Sequence, residues 1–225
     1  MKITFYAHAS FRLETPTFVI ITDPYTPGRG GSGFKPIDEL ADLVLMSSAT
    51  DRFHSDPSHI LGDPTVVNAM DLPRGGDTVR GVHIKPFPTS ESLTFDFGRD
   101  PDANAMSLFS LGGLRVLHMG DVGNAIDAAD LRDLAGTVDI MLALVGAHAT
   151  IGLDDLDAAI AAIGPKIVIP MHYWSPDGVL AIEPVETFLS RYPALTVQRI
   201  EGSSITIEPG SLPATTQIVV LRESR

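Results

Sequence analysis

The chain of 225 residues carries 28 acidic against 16 basic side chains, which gives a formal net charge of −12. This balance repels a phosphate backbone and argues against nucleic-acid binding. No run approaches the roughly 18 apolar residues that a membrane span needs, and the start of the chain predicts a strand without the features of a secretory signal. We therefore expect a cytoplasmic protein whose partner is a small-molecule substrate or ligand, with no nucleic acid and no membrane. A homo-oligomer is compatible with the sequence.

Hydrophobic residues make up 44% of the chain, which is enough for a sizeable core. No linker rich in Ser, Pro and Gly divides the sequence, so one domain over residues 1–225 is predicted. Because cysteine is absent, disulfides and thiolate metal ligands are excluded. Any metal would have to be held by His and carboxylate side chains.

Strands dominate the first half of the predicted structure. Short β-branched and aromatic runs are separated by Ser, Thr-Pro and Asp-Pro, at residues 2–7, 11–14, 17–22, 43–47, 65–69, 78–87 and 92–97. The Gly-rich stretch at residues 27–33 has no following helix or phosphate-binding Lys, so it predicts a flexible rim over a site.

The second half predicts a hairpin at residues 106–117 and then alternation of helix and strand. Helices are expected at residues 125–134, 153–163 and 185–192, with strands at 140–145, 167–170, 196–207 and in the tail at 218–221. Strands first and alternation later favour two sheets packed face to face with helices outside, in the α/β class.

Two predicted strands of this half end on side chains that can bind a metal. His118, with Asp121 three residues later, closes residues 114–117, and His172 follows residues 167–170. The rigid sheet fixes such ligands while the loop side stays open to a substrate. One His at a strand end is usually a satisfied, partly buried ring, but two such strand ends together indicate a site.

Five segments resemble the metallo-β-lactamase superfamily in their order and spacing, specifically its ascorbate-6-phosphate lactonase-like branch of small metal-dependent hydrolases. They are residues 7–11, 22–25, 41–47, 118–121 and 165–173, and the resemblance extends from residue 2 to about residue 208. It implies a four-layer αβ/βα sandwich with its site at the sheet edges. It also implies a two-metal centre held by a Ser/Thr-His-x-His-x-Asp-His motif, a later His, a bridging Asp and a final His.

The signature motif of that family is broken in this chain. Its first two His positions fall on Ser48 and Thr50, its Asp on Arg52 and its third His on Phe53. Neutral hydroxyls are poor zinc ligands, a guanidinium carries a fixed positive charge, and a phenyl ring has no lone pair. A dinuclear centre is therefore not expected.

The resemblance leaves His118, Asp121 and His172 as metal ligands, and a one-residue change of register would bring in His54. This set predicts zinc or another divalent metal at no more than one ion per chain, and it leaves open a chain with none. Asp121 and His8 are the predicted catalytic residues. Asp121 corresponds to the bridging Asp. His8 resembles a His near the active site, for which we expect contact with a ligand residue or with substrate and not direct binding of the metal.

Two functions remain open. The surviving ligands favour a mononuclear hydrolase of a small ester, lactone or phosphorylated metabolite, whereas the lost ligands favour a non-catalytic, ligand-binding or scaffold relative. A metal-free site would pair Arg52 with Asp121 or use Arg52 to bind an anionic ligand. Asp23 could hold a ligand His in the required tautomer, or it could serve only an Asp-Pro turn.

Overall fold

Two β-sheets form the framework of the protein. The computed structural model describes residues 1–51, 53–91, 104–148 and 150–225. The first sheet has the order β13-β1-β2-β3-β4-β5 and the second the order β12-β14-β11-β10-β9-β8-β7-β6. The strands are β1 Lys2–Ala7, β2 Ser10–Glu14, β3 Val19–Thr22, β4 Leu43–Met46, β5 Thr65–Asn68, β6 Asp77–Val79, β7 Val82–Thr89, β8 Asn104–Leu111, β9 Leu114–His118, β10 Ile140–Leu144, β11 Ile167–Met171, β12 Val197–Arg199, β13 Ser204–Thr206 and β14 Gln217–Val220.

Both sheets are mixed, and their pairing explains where a site can form. In the first sheet β1 and β3 both run antiparallel to β2, and β3, β4 and β5 are parallel. In the second sheet β9, β10 and β11 are parallel. The carboxyl ends of parallel strands share one edge of a sheet, so loops after β1, β3 and β4 emerge together, as do those after β9 and β11.

Alternation of side chains along the first sheet divides its apolar residues between two clusters. Phe5, Ile20 and Leu45 belong to the large core shared with the second sheet. Their chain neighbours Tyr6 and Ile21 belong to a smaller cluster, to which Tyr25, Phe34, Ile37 and Ile60 from loops contribute. The first sheet is thus covered on both faces, by the second sheet on one side and by loop residues on the other.

Three α-helices are found among the described residues, and all of them follow β9: α1 Ala128–Leu134, α2 Leu153–Ile163 and α3 Val185–Leu189. α2 buries Leu156, Ala159, Ile160 and Ile163 in the large core, so it covers the outside of the sandwich as its apolar spacing predicts. The predicted arrangement of two sheets packed face to face is confirmed. Within the described ranges, no helix combines the length and the apolar character that crossing a membrane requires.

Several predicted boundaries are wrong for local reasons. The strand expected at residues 78–87 is two strands, because Arg80 and Gly81 have φ of 53° and 83° and turn the chain. α1 begins at Ala128 and not at Ala125, and residues 196–207 form two separate strands. The tail strand β14 lies between β11 and β12 inside the second sheet. The strand predicted at residues 92–97 lies outside the described residues.

Candidate functional site

The strand ends bring five polar side chains into one buried cluster. His8 follows β1, Asp23 follows β3, His54 lies in the loop after β4, and Asp121 and His172 follow β9 and β11. All five are at most 4% exposed. Buried ionisable groups are costly unless they are paired or bind a cation, so their concentration at the loop end of both sheets marks a candidate functional site.

The backbone at this cluster is held in conformations that are rare for residues other than glycine. His8, Asp23 and His172 have φ of 56°, 37° and 54°. The His172 amide also donates a hydrogen bond to the His8 carbonyl oxygen at 2.8 Å, which joins the two sheets at this point. Left-handed conformations of this kind persist only where the surrounding structure enforces them, and they concentrate at functional sites.

Asp23 organises the part of the cluster that belongs to the first sheet. Its carboxylate accepts hydrogen bonds from the Ser47 amide at 2.6 Å and the Ser47 hydroxyl at 2.7 Å. Its Oδ2 also lies 3.0 Å from Nδ1 of His54. Asp23 therefore orients the His54 ring, which is the positioning role predicted for it as one of two alternatives.

His54 spans the gap between two carboxylates. Its Nδ1 faces Asp23, and its Nε2 lies 3.5 Å from Oδ2 of Asp121 without a hydrogen bond to any described residue. Burial lowers the pKa of His54, but the nearby charges of Asp121 and Asp23 outweigh burial and raise it well above its ordinary value. The two carboxylates thus favour a positive charge between them, which either a protonated His54 or a divalent cation can supply.

His172 and His8 complete the histidine part of the cluster. Nε2 of His172 lies 3.7 Å from Oδ1 of Asp121, and the ring of His8 is 4.2 Å from that of His172 and 5.0 Å from that of His54. One ligand atom from each of the three rings lies within 4.8 Å of the others. Burial lowers the pKa of His172 to about 4, so its ring is neutral and keeps a lone pair at neutral pH.

His118 has a different environment from the other histidines. Its Nε2 donates to the Ala9 carbonyl oxygen at 2.9 Å, while its Nδ1 accepts from the Gly120 amide at 3.0 Å. Burial lowers the pKa of His118, which agrees with a neutral ring in one fixed tautomer. Both ring nitrogens are therefore engaged by backbone, and this geometry favours a structural role. Metal ligation by His118 stays a prediction.

Three carboxylates form a second group beside the histidines. One oxygen from each of Asp51, Glu91 and Asp121 lies within 4.8 Å of the others. Glu91 is 1% exposed and was not predicted as a site residue, although its position two residues after β7 was a usable signal. Asn104 was also missed; its side-chain oxygen accepts a hydrogen bond from the Asp121 amide at 2.8 Å and fixes the turn that presents Asp121.

The residues that replace the family motif have partners of their own. The hydroxyl oxygens of Ser48 and Thr50 lie 3.2 Å apart. The Phe53 ring stacks on the His8 ring with 5.2 Å between centroids. The register change considered for His54 agrees with this arrangement, because Phe53 covers the cluster from one side while His54 enters it. Arg52 lies outside the described residues.

The donor set fits a divalent transition metal. Three buried imidazoles with a carboxylate beside two of them are the nitrogen and oxygen ligands that zinc-type ions prefer. His54 Nε2 and His172 Nδ1 make no hydrogen bond within the described part of the chain, so these buried atoms lack the partner that buried polar groups normally have. His8, His54 and His172, with Asp121, could therefore hold one ion.

The chain resembles known proteins over most of its length. A family model for the β-lactamase superfamily domain matches residues 2–172. A "UPF0173 metal-dependent hydrolase" of Carboxydothermus hydrogenoformans is 30% identical, with 77% of this chain and 84% of that protein covered. A protein of the same description from Thermococcus onnurineus is 26% identical, with 83% and 90% covered.

A solved structure resembles the chain from end to end. It is a Thermotoga maritima protein described as a candidate Zn-dependent hydrolase of the metallo-β-lactamase superfamily, with a TM-score of 0.75 and 27% identity. The match covers 98% of this chain and 97% of that one. The family model spans both sheets and ends at His172, so it includes every strand end that contributes to the histidine cluster. The chain belongs to the metallo-β-lactamase superfamily.

Proposed function

We propose that the protein is a metal-dependent hydrolase with one divalent transition metal per chain, acting on a small ester, lactone or phosphorylated metabolite. The observation that carries this proposal is the convergence of His8, His54 and His172 beside Asp121 in a buried cluster. The relatives described as metal-dependent hydrolases support it. The lactonase-like branch remains part of the proposal, on the segments that carry the resemblance.

A divalent ion in this cluster would supply a water of lowered pKa and would polarise a carbonyl or phosphoryl oxygen. The chain's own residues would do the rest. Asp23 holds the His54 ring through Nδ1, which leaves Nε2 for the centre. Asp121, between His54 and His172, is placed to accept a proton from the attacking water. Phe53 covers His8 and helps to exclude bulk water from that side.

The metal part of the proposal is tested by stoichiometry. Protein stripped of metal is reloaded separately with Zn²⁺, Mn²⁺ and Fe²⁺, and bound metal is counted by mass spectrometry. We expect up to one ion per chain, with affinity lowered roughly 10- to 100-fold or more in His54→Gln and His172→Gln. His83→Gln is the matched control, because His83 is exposed on β7 away from the cluster. Two ions per chain would contradict the mononuclear centre.

A non-catalytic relative is the second candidate, and the replacements at Ser48, Thr50 and Phe53 favour it. Turnover distinguishes the two. The metal-loaded protein is assayed with p-nitrophenyl acetate, δ-valerolactone and p-nitrophenyl phosphate. Metal-dependent hydrolysis that falls in His172→Gln but not in His83→Gln supports the hydrolase. Stoichiometric metal without turnover of any of the three supports the non-catalytic relative.

A further inference from the structure

We propose that the tail after β14, residues 221–225, holds the strand ends that carry His8 and His172 at the spacing that metal binding requires. Arg225 and Ser175 are the positioning residues in these contacts. The inference rests on the proposed function, because it concerns the metal cluster of the same site. It goes further by naming residues outside the cluster that determine the geometry of the ligands.

The tail binds β1 close to His8. The Ser224 amide donates a hydrogen bond to the Tyr6 carbonyl oxygen at 3.0 Å, and Tyr6 precedes His8 by two residues. The Arg225 guanidinium lies over the Tyr6 ring, 4.9 Å from its centroid. The tail thus contacts both the backbone and the side chain of Tyr6, so loss of the tail contacts would release the end of β1.

Glu39 strengthens the contact between Arg225 and Tyr6. Its carboxylate accepts a hydrogen bond from the Tyr6 hydroxyl at 2.7 Å and pairs with Arg225. Arg225 also donates to the Ile37 carbonyl oxygen at 3.3 Å. A single surface ion pair contributes little to stability. Here one planar guanidinium combines an ion pair, a hydrogen bond to a carbonyl and a contact with an aromatic ring, which together fix its position.

The same tail binds the loop after β11 close to His172. The Tyr173 hydroxyl donates to the Leu221 carbonyl oxygen at 3.2 Å, and the Ser175 hydroxyl donates to the Glu223 carboxyl group at 2.6 Å. Tyr173 follows His172 directly, and Ser175 is buried. These two hydrogen bonds therefore fix the direction in which the chain leaves His172.

A direct hydrogen bond joins the two strand ends that the tail contacts. The His172 amide donates to the His8 carbonyl oxygen at 2.8 Å, so the contacts form a closed loop that includes both histidines and the tail. His8 and His172 have φ of 56° and 54°, conformations that persist only where the surrounding structure enforces them. The tail supplies part of that enforcement.

Metal affinity depends on the relative position of these histidines. The ring centroids of His8 and His172 lie 4.2 Å apart, and one ligand atom of each lies within 4.8 Å of one ligand atom of His54. Residues that orient metal ligands without touching the metal typically change its affinity roughly 10- to 100-fold. Loss of the tail contacts should therefore weaken metal binding although every ligand is still present.

Hydrogen exchange of the His172 amide tests the tail contacts without metal. The rate is measured by NMR in metal-free protein and is expressed relative to the amides of β10, so that changes in global stability cancel. Arg225→Ala and Ser175→Ala each remove one side of the tail contacts. Arg222→Ala is the matched control, because Arg222 is an exposed arginine of the same tail. We expect exchange roughly tenfold or more faster in Arg225→Ala and Ser175→Ala, and unchanged in Arg222→Ala.

Titration with Co²⁺ tests the consequence for metal binding. The visible absorption of bound Co²⁺ depends on the number and geometry of its ligands. We expect Arg225→Ala and Ser175→Ala to bind Co²⁺ roughly tenfold or more weakly than the wild type, with an altered spectrum. Arg222→Ala should match the wild type in both affinity and spectrum.

Two results would overturn the inference. One is an unchanged relative exchange rate at His172 in Arg225→Ala and Ser175→Ala, or the same change in Arg222→Ala. The other is wild-type Co²⁺ affinity and spectrum in Arg225→Ala and Ser175→Ala despite faster exchange at His172. A wild type that binds no Co²⁺ while the exchange results hold would overturn the metal centre and support the tail contacts, so the two failures are distinguishable.

Discussion

His118 matches a family motif, but its contacts favour a structural role. Both ring nitrogens bond to backbone groups, one in the loop after β1 and one in the turn that carries Asp121. The ring therefore connects the first sheet to the second. A histidine held in this way can position the site without touching a metal.

We predict that His118→Ala destabilises the protein by roughly 2–4 kcal/mol, because the Ala9 carbonyl and the Gly120 amide each lose a buried partner. Metal stoichiometry at a temperature where the variant remains folded should stay close to that of the wild type. Urea unfolding and metal analysis measure the two effects. His83→Ala on exposed β7 is the control and should change neither. A folded His118→Ala protein that loses its metal would restore His118 to the ligand set.

At the residue scale, the sequence predicted which side chains follow the strands, but it did not predict which of them group together. Asp121 and His172 could be placed because each follows a strand of mainly apolar residues. His54 depends on how the loop after β4 folds, and the grouping of His8 with His54 and His172 depends on contact between the two sheets. Such contacts join residues far apart in sequence, so no local pattern encodes them.

At the scale of elements, the turn between β9 and Asp121 is the most constrained connection at the site. Gly120 has φ of 64°, and a Cβ there would lie 2.4 Å from Oδ1 of Asn104 and 2.5 Å from Cβ of Ser47. The turn therefore requires glycine for two reasons: its backbone conformation and the close approach of β4 and β8.

Substituting alanine at Gly120 and at Gly136 separates the effect of backbone conformation from the effect of close packing. Gly136 has φ of 68°, but a Cβ there would meet nothing within 4 Å. We predict that Gly136→Ala costs about 1–2 kcal/mol from backbone strain alone. Gly120→Ala should cost about 1–3 kcal/mol more, because Asn104 and Ser47 must move. Urea unfolding of both variants gives the difference. Equal losses would mean that the turn at Gly120 is loosely packed.

Elements with a complete local signal were predicted well. α2 has both an apolar stripe and a glycine that ends it, and its observed bounds Leu153–Ile163 agree with the prediction. α1 begins three residues later than predicted. The pattern suggested Asn124 as the residue that caps the helix, but its side-chain amide donates to the Ala125 carbonyl oxygen and caps no helix amide. The insertion of β14 between β11 and β12 could not be read from local pattern, because strand order depends on distant pairing.

At the scale of the whole molecule, the C-terminal tail connects the two sheets. After β14, the Ser175 hydroxyl bonds to Glu223, the Ser224 amide donates to the Tyr6 carbonyl oxygen at 3.0 Å, and Arg225 pairs with Glu39. The tail thus runs from the second sheet, past the loop after β11, to the outer cluster of the first sheet.

Glu223 makes the stabilising effect of the tail dependent on pH. Burial raises its pKa from 4.5 to about 7, despite the hydrogen bond from Ser175, and the nearby charge of Asp177 adds to the increase. The folded protein therefore holds a proton on Glu223 that the unfolded chain has already lost between about pH 4.5 and pH 7. Because the folded state binds more protons in this window, the free energy of unfolding falls as pH rises through it.

We predict that Glu223→Gln removes this decrease in the free energy of unfolding as pH rises. The variant should match the wild type near pH 4.5 and should be more stable above pH 7 by roughly 1–3 kcal/mol, since its neutral amide can still accept the Ser175 hydrogen bond. Urea unfolding at pH 5 and pH 8 measures the difference, and Glu201→Gln, at an exposed position, is the control. An equal pH dependence in Glu223→Gln and wild type would show that the carboxyl is ionised in the folded tail.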